Sequence, residues 1–139
     1  MEKAPLFQLP EMHSGVVYDV NGDIGKVIVL TFWVSWCPDC ARDLPMKEQL
    51  NRSMDSNKVR MLTINVAGRE RSSQAGEDFA TKFLTQQTLV DDGKSIYEQY
   101  QCTSVPTTII IDQEGFIAAR FDDKAKFLEI VEKIGDLVD

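Results

Sequence analysis

Cys37 and Cys40 enclose Pro38 and Asp39, so two thiols stand with two residues between them. At that spacing they can close a small disulfide and reopen it without large backbone movement. Trp36 stands immediately before the pair. An apolar β-type run from Val27 to Val34 leads into it, and Ala41-Arg42-Asp43-Leu44 continues beyond it with helical character. A Cys-x-x-Cys at a strand-to-helix junction reads as a redox dithiol. The principal competing use of such a pair is zinc, whose closed sites take four ligands. Cys102 and His13 are the remaining soft donors, and neither has ligand spacing, so no metal is expected.

The chain has 139 residues, three cysteines and a formal net charge of −7. That length suffices for one domain with one substantial core. A single domain over residues 1–139 is expected, with 1–25 as an N-terminal extension. Three cysteines are too few for a disulfide scaffold. The acidic balance, with no basic cluster, argues against nucleic acid and against an anionic membrane surface. No segment approaches the ~20 apolar residues needed to span a bilayer. Met1-Glu2-Lys3-Ala4-Pro5 lacks the apolar stretch of a signal peptide. Either the protein is cytoplasmic, or a leader has been removed from this chain.

Stepping outward from the thiols, the elements that must hold them follow from hydrophobic pattern. Val27–Val34 is apolar on both faces, as a central parallel strand should be. A helix is expected from Pro38, since proline is comfortable in a first turn, to about Ser53, with Leu44, Met46 and Leu50 as its buried face and a kink at Pro45. Val59–Val66 is a second buried strand. Gly68 to Gly76 is loop-like, and residues 77–84 carry helical spacing with Phe79 and Phe83 four apart. Leu89-Val90 suits a short strand, and Lys94–Tyr100 a short helix with Ile96 and Tyr100 on one face. Thr107–Ile111 is a third strong strand, and the Asp112–Gly115 turn folds Phe116–Phe121 back on it as a hairpin. Phe127, Ile130, Val131, Ile134 and Val138 line one face of a C-terminal helix. Near the start, Phe7 and Leu9 alternate with polar neighbours, Val16–Tyr18 suits a short strand, and Asn21-Gly22-Asp23 is a turn. The order implies an α/β fold, a mixed sheet with helices on both faces.

With those residues in place the chain resembles the thioredoxin-fold proteins, and among them the TlpA/ResA-like bacterial thiol–disulfide oxidoreductases. The resemblance rests on Phe32 to Cys40, Asp43-Leu44-Pro45, Tyr100, Val105-Pro106-Thr107-Thr108 and Ile111 to Gly115, and on the opening Ala4 to Pro10. It implies a thioredoxin fold and a protein-disulfide reductase without a cofactor other than the Cys37–Cys40 disulfide itself. Its partners would be protein disulfides and a thiol electron donor, either a membrane thiol carrier or a thioredoxin-type reductase, and a monomer is expected. It implies a membrane-anchored place outside the bacterial cytoplasm, with roles such as cytochrome c maturation or sporulation; the alternative is cytoplasmic. Short thioredoxins carry a buried Asp six residues before the first cysteine, where this chain has Thr31. The TlpA/ResA-like group places an acid three residues after the second cysteine, here Asp43.

The expected roles are then specific. Cys37, at a helix N-terminus where free N–H groups favour negative charge, attacks as thiolate, and Cys40 resolves the mixed disulfide. Asp43 exchanges a proton with Cys40. Asp39 opposes thiolate formation at Cys37, which points to a reductant rather than a strong oxidase. The resemblance makes Pro106 a cis proline facing the dithiol and leaves the Val105 backbone free to pair with an extended client. Trp36, Pro38, Asp39, Val105 and Pro106 form the docking surface. Cys102 is expected to be a buried, inert thiol. The competing functions are a peroxiredoxin-like peroxidase, which would favour Thr-x-x-Cys over the Val34-Ser35-Trp36-Cys37 found here, and a non-catalytic binding or chaperone module on the same fold.

Overall fold

A computed structural model describes residues 1–138. Its elements are β1 (Gln8–Pro10), β2 (Val17–Asp19), β3 (Val27–Trp33), α1 (Pro38–Ser53), β4 (Val59–Asn65), α2 (Ser73–Phe83), β5 (Gln87–Val90), α3 (Ser95–Gln99), β6 (Thr107–Ile111), β7 (Ile117–Phe121) and α4 (Phe127–Leu137). The main sheet has the order β5-β4-β3-β6-β7. Strands β3, β4 and β5 run parallel, while β6 is antiparallel to β3 and to β7. This is the mixed sheet expected from the alternation of apolar runs and helical segments.

Every residue of β3 is buried, because the strand is central in the sheet and covered on both faces. Ile28, Leu30 and Phe32 join Leu62, Ile64, Ile109 and the side chains of Ala80, Ile96 and Tyr100 in one core cluster. Val27 and Val29 point the other way, into a cluster with Val59, Met61 and the α4 residues Ile130 and Ile134. The period-two alternation of a strand thus feeds two cores. Removing that much apolar surface from water is what commits the chain to this sheet.

Two local expectations are corrected. Met46 is 40% exposed, and the buried positions of α1 are Cys40, Leu44, Lys47 and Glu48. Two charged residues replace the expected methionine because both find polar partners from other elements. Glu48 accepts from the backbone N–H of Thr85, from Thr85 Oγ1 (2.9 Å) and from the N–H of Gln86 (3.2 Å), tying α1 to the α2–β5 connection. Second, the segment 68–76 is not all loop: Ala67–Arg69 forms a 3-10 turn, and α2 begins at Ser73, capped by Ser72 accepting the Ala75 N–H. On α2 the four-residue spacing brings the Phe79 and Phe83 rings to 4.9 Å, with Phe83 itself 58% exposed.

The N-terminal segment is bound into the sheet. Strands β1 and β2 pair antiparallel, Phe7 and Leu9 are buried, and Tyr100 donates its hydroxyl to the Pro5 carbonyl (2.6 Å). Its backbone also reaches the two outer strands: Met12 N–H donates to Thr88 O, Ala4 N–H to Gly115 O, and Ile117 N–H to Glu2 O.

Candidate active site

The dithiol stands where β3 hands over to α1. Val34 is buried, and Ser35 and Trp36 make the turn. A single carboxylate holds that turn. Glu70 accepts from Ser35 N–H (2.8 Å), Ser35 Oγ (2.6 Å) and Asn65 Nδ2 (2.7 Å). Asn65 ends β4 directly opposite Trp33 and its Nδ2 also lies 3.4 Å from the Trp33 carbonyl, so the turn is tied through Glu70 and Asn65 to both strand ends. Gly76 of α2 makes room for this arrangement: a Cβ there would stand 2.6 Å from Asn65 Oδ1.

Cys37 caps α1, with φ −88° and ψ 116°, and Pro38 opens the helix. Its sulfur accepts the Cys40 N–H at 3.1 Å. The first turn thereby directs a backbone donor at the sulfur, an arrangement that favours negative charge there. The same thiol donates to the carbonyl of Val105 at 3.5 Å. The peptide between Val105 and Pro106 is cis, as the resemblance implied, and this segment faces the dithiol. Both sulfurs are free thiols. Cys37 keeps 6% of its surface exposed and Cys40 none. Burial pushes the Cys40 thiol far above its ordinary value, with the hydrogen bond to Cys37 and the Asp43 charge adding in the same direction.

The remaining sequence candidates divide. Trp36 is 38% exposed. Its Nε1 donates to Arg69 O (2.9 Å), and the Arg71 and Arg69 guanidiniums lie 5.2 and 6.0 Å from its ring. Asp39 pairs with Arg42 on the exposed side of α1, so its charge is shared rather than directed solely at Cys37. Asp43 is bound by Lys47 (2.8 Å). Lys47 also donates to Thr31 Oγ1 (2.9 Å) and Thr108 Oγ1 (2.7 Å). Cys102 is buried away from the pair, its thiol pushed up to about 12 chiefly by burial. His13 is exposed. Arg69, Glu70, Asn65 and Lys47 were not anticipated. The one available signal was Lys47, a charge at helical spacing from Cys40 and Leu44 on the face that had to be apolar.

A cleft of about 140 Å³ opens beside Asp39, Asp43, Pro106 and Thr108. A larger one, about 450 Å³, is lined by Gln101, Cys102, Thr107, Arg120 and Glu129 and includes neither sulfur of the pair. Among the described residues no group of three or more His, Cys, Asp or Glu is arranged to hold a metal.

A thiol pair capping a helix beside a proline loop, on this sheet order, defines a thioredoxin-fold protein with a dithiol site. The chain belongs to the AhpC/TSA family, whose profile matches residues 1–120. It is 30% identical over 116 residues to the thioredoxin-like protein YneN of Bacillus subtilis, across 84% of this chain and 67% of that protein. It is 32% identical to the sporulation thiol-disulfide oxidoreductase A of the same organism, across 67% of this chain and 57% of the relative. It is 31% identical to the thiol-disulfide oxidoreductase ResA of Geobacillus kaustophilus, across 81% and 63%. The chain therefore spans roughly three fifths to two thirds of the length of these relatives. Among solved structures, the exposed lipoprotein thioredoxin Etrx1 of Streptococcus pneumoniae superposes with a TM-score of 0.83 at 26% identity, over 96% of this chain and all of that one. StoA from Bacillus subtilis superposes with a TM-score of 0.79 at 24% identity, over 94% and 96%, a likeness of fold.

Proposed function

We propose that this protein is a thiol–disulfide oxidoreductase that reduces protein disulfides through Cys37 and Cys40. One observation carries the proposal: Cys37 Sγ accepts the first-turn N–H of Cys40 at 3.1 Å while lying 3.5 Å from the Val105 carbonyl. The nucleophile, the group that favours its charge and the backbone that can grip a client meet at one point. The names of the relatives, oxidoreductases acting on thiols and disulfides, support the same chemistry.

The steps follow from the geometry. The Cys37 thiolate attacks one sulfur of a client disulfide, forming a mixed disulfide and releasing the other client sulfur as a thiolate. An extended client segment pairs with the Val105 backbone, and Trp36, Pro38 and Pro106 bound the approach. Cys40, one turn further along α1, loses its proton by way of Asp43 and attacks the Cys37 sulfur. The Cys37–Cys40 disulfide closes, two electrons pass to the client, and the second client thiol departs. A separate thiol donor then returns the pair to the dithiol. Because burial keeps Cys40 protonated in the resting dithiol, that state gains nothing from a second thiolate, which favours giving electrons away.

A place outside the cytoplasm is supported by the likeness to an exposed lipoprotein thioredoxin, and a membrane thiol carrier is the donor proposed for that setting. Among the described residues no helix is long and apolar enough to cross a membrane.

The test is client capture. Cys40→Ala should accumulate a covalent adduct with insulin that dithiothreitol releases, Cys37→Ser should form none, and the unaltered protein should precipitate reduced insulin B chain. Turnover of insulin by Cys37→Ser at the unaltered rate would refute the proposal. Peroxide consumption by the dithiol without any disulfide client would favour the peroxidase alternative.

A further inference from the structure

Lys47 lies in the middle of α1 with no exposed surface. An ammonium has three N–H donors and no acceptor, and all three are used. They go to Thr31 Oγ1 on β3, Thr108 Oγ1 on β6 and Asp43 Oδ2 one turn back on α1. Thr31 and Thr108 are direct partners across the β3–β6 ladder, so adjacent strands present two hydroxyls to one nitrogen. Stability does not demand such a cluster: a well-packed apolar side chain in place of a buried ion pair is often as stable or more so. Its position is informative. Cys40, Asp43 and Lys47 occupy one stripe of α1 at three- and four-residue spacing.

We propose that Lys47 is a positioning residue for the dithiol, its ammonium holding the Asp43 carboxylate in place and cancelling its charge, so that the Cys40 thiolate can form inside the protein. This rests on the exchange mechanism proposed above and concerns its second step. With Lys47 present, Cys40 ionises beside a neutral pair, and the local charge goes from zero to minus one. Without it, the change is from minus one to minus two in a site sheltered from water. The other charges near Asp43 do not supply the balance. Arg42 is engaged with Asp39 on the same helix, and Asp122 and Asp123, from the connection after β7, face the small cleft that reaches Asp43. Burial pushes Lys47 below the ordinary lysine value, while Asp43 and Cys40 push it back up.

In the resolving step the Cys40 proton leaves through Asp43 to solvent. The Cys40–Cys37 bond forms as the Cys37–client bond breaks, and the departing client thiolate takes up a proton. The pair is oxidised and the client reduced by two electrons, and Lys47 keeps its proton throughout.

The experiment mixes reduced full-length protein with an aromatic disulfide whose released thiolate is coloured. The first phase reports attack by Cys37, and the second, absent in Cys40→Ala, reports resolution by Cys40. Lys47→Met should leave the first phase within about twofold. It should move the pH midpoint of the second up by about one unit, a roughly tenfold slowing below the midpoint. Lys47→Met combined with Asp43→Asn should bring the midpoint back toward the unaltered value, because the charge beside Cys40 again sums to zero. An unmoved midpoint in Lys47→Met, equal slowing of both phases, or no return in the double variant overturns the proposal. Should Lys47→Met not fold, the unaltered protein decides. The Lys47 13Cε resonance should show an inflection at the pH where Cys40 ionises in the dithiol form and none in the disulfide form; identical curves in both forms overturn the proposal. No first phase in the unaltered protein would sink the exchange mechanism itself, a result distinct from a failed second phase.

Discussion

Removing the Glu70 carboxylate should loosen the turn that carries Cys37, and the size of the effect can be worked from its bonds. Glu70 receives three donors: Ser35 N–H, Ser35 Oγ and Asn65 Nδ2. Hydrogen bonds to a charged group contribute about 1.5–3 kcal/mol each, but they are not additive. Ser35 and Glu70 are only half-buried, so water can replace part of what is lost there. Asn65, 3% exposed, has no such access. Glu70→Ala should therefore cost about 3 kcal/mol in urea unfolding of the reduced protein. Glu70→Gln can turn its carbonyl toward Ser35 N–H and Asn65 and donate its amide to Ser35 Oγ. It loses the charge but not the pattern, and should cost about 1 kcal/mol. The same order should appear in the rate at which Cys37 attacks a small disulfide, with alanine slower than glutamine and glutamine slower than glutamate. A loss below about 1 kcal/mol for alanine, or equal losses for the two variants, would refute the view that one carboxylate sets this turn.

Other expectations are shorter. Gly76→Ala adds a Cβ 2.6 Å from Asn65 Oδ1; despite the better helix propensity of alanine, it should destabilise by about 1–2 kcal/mol by displacing Asn65 from Glu70, and a rise in thermal midpoint would contradict this. Cys102 ionises near 9.0 in an unfolded chain and at about 12 when folded, so the unfolded state binds fewer protons between those values and stability falls as pH rises through that window. Cys102→Ala removes that contribution and should lose about 1 kcal/mol less between about pH 8 and about pH 10, read by urea titration; parallel losses would count against it. Trp36→Ala should raise KM for a protein disulfide roughly fivefold while leaving attack on a small disulfide nearly unchanged. Equal losses on both would remove Trp36 from the docking surface.

What could be read in the residues, and what could not, divides by the range of the interaction. Runs such as Val27–Trp33 and Thr107–Ile111 carry their burial in their own composition, and α4 announces its face through Ile130 and Ile134. The Cys37–Cys40 spacing carries its chemistry the same way. The polar part of the site does not, because its partners are far apart in the chain. Ser35 and Glu70 are 35 residues apart, and Lys47 and Thr108 are 61 apart. Met46 was expected inside because hydrophobicity is the local signal, and by that signal nothing marked Lys47 for burial. The lysine won the buried position once two strands and a carboxylate offered it acceptors. Thr31 shows the same effect from the other side: it cannot act as a base near neutral pH, yet its hydroxyl helps seat the charge next to one that can.

The opening dozen residues have a consequence beyond their own packing. An open sheet ends in two rows of unsatisfied peptide groups, the usual template on which one molecule adheres to the next. Here Glu11 bridges to Leu89 along one border and Lys3 to Phe116 along the opposite one. A protein trimmed of that leading stretch would retain both sulfurs, but it would bare two adhesive rims and should pass from clear solution toward aggregate as its concentration rises.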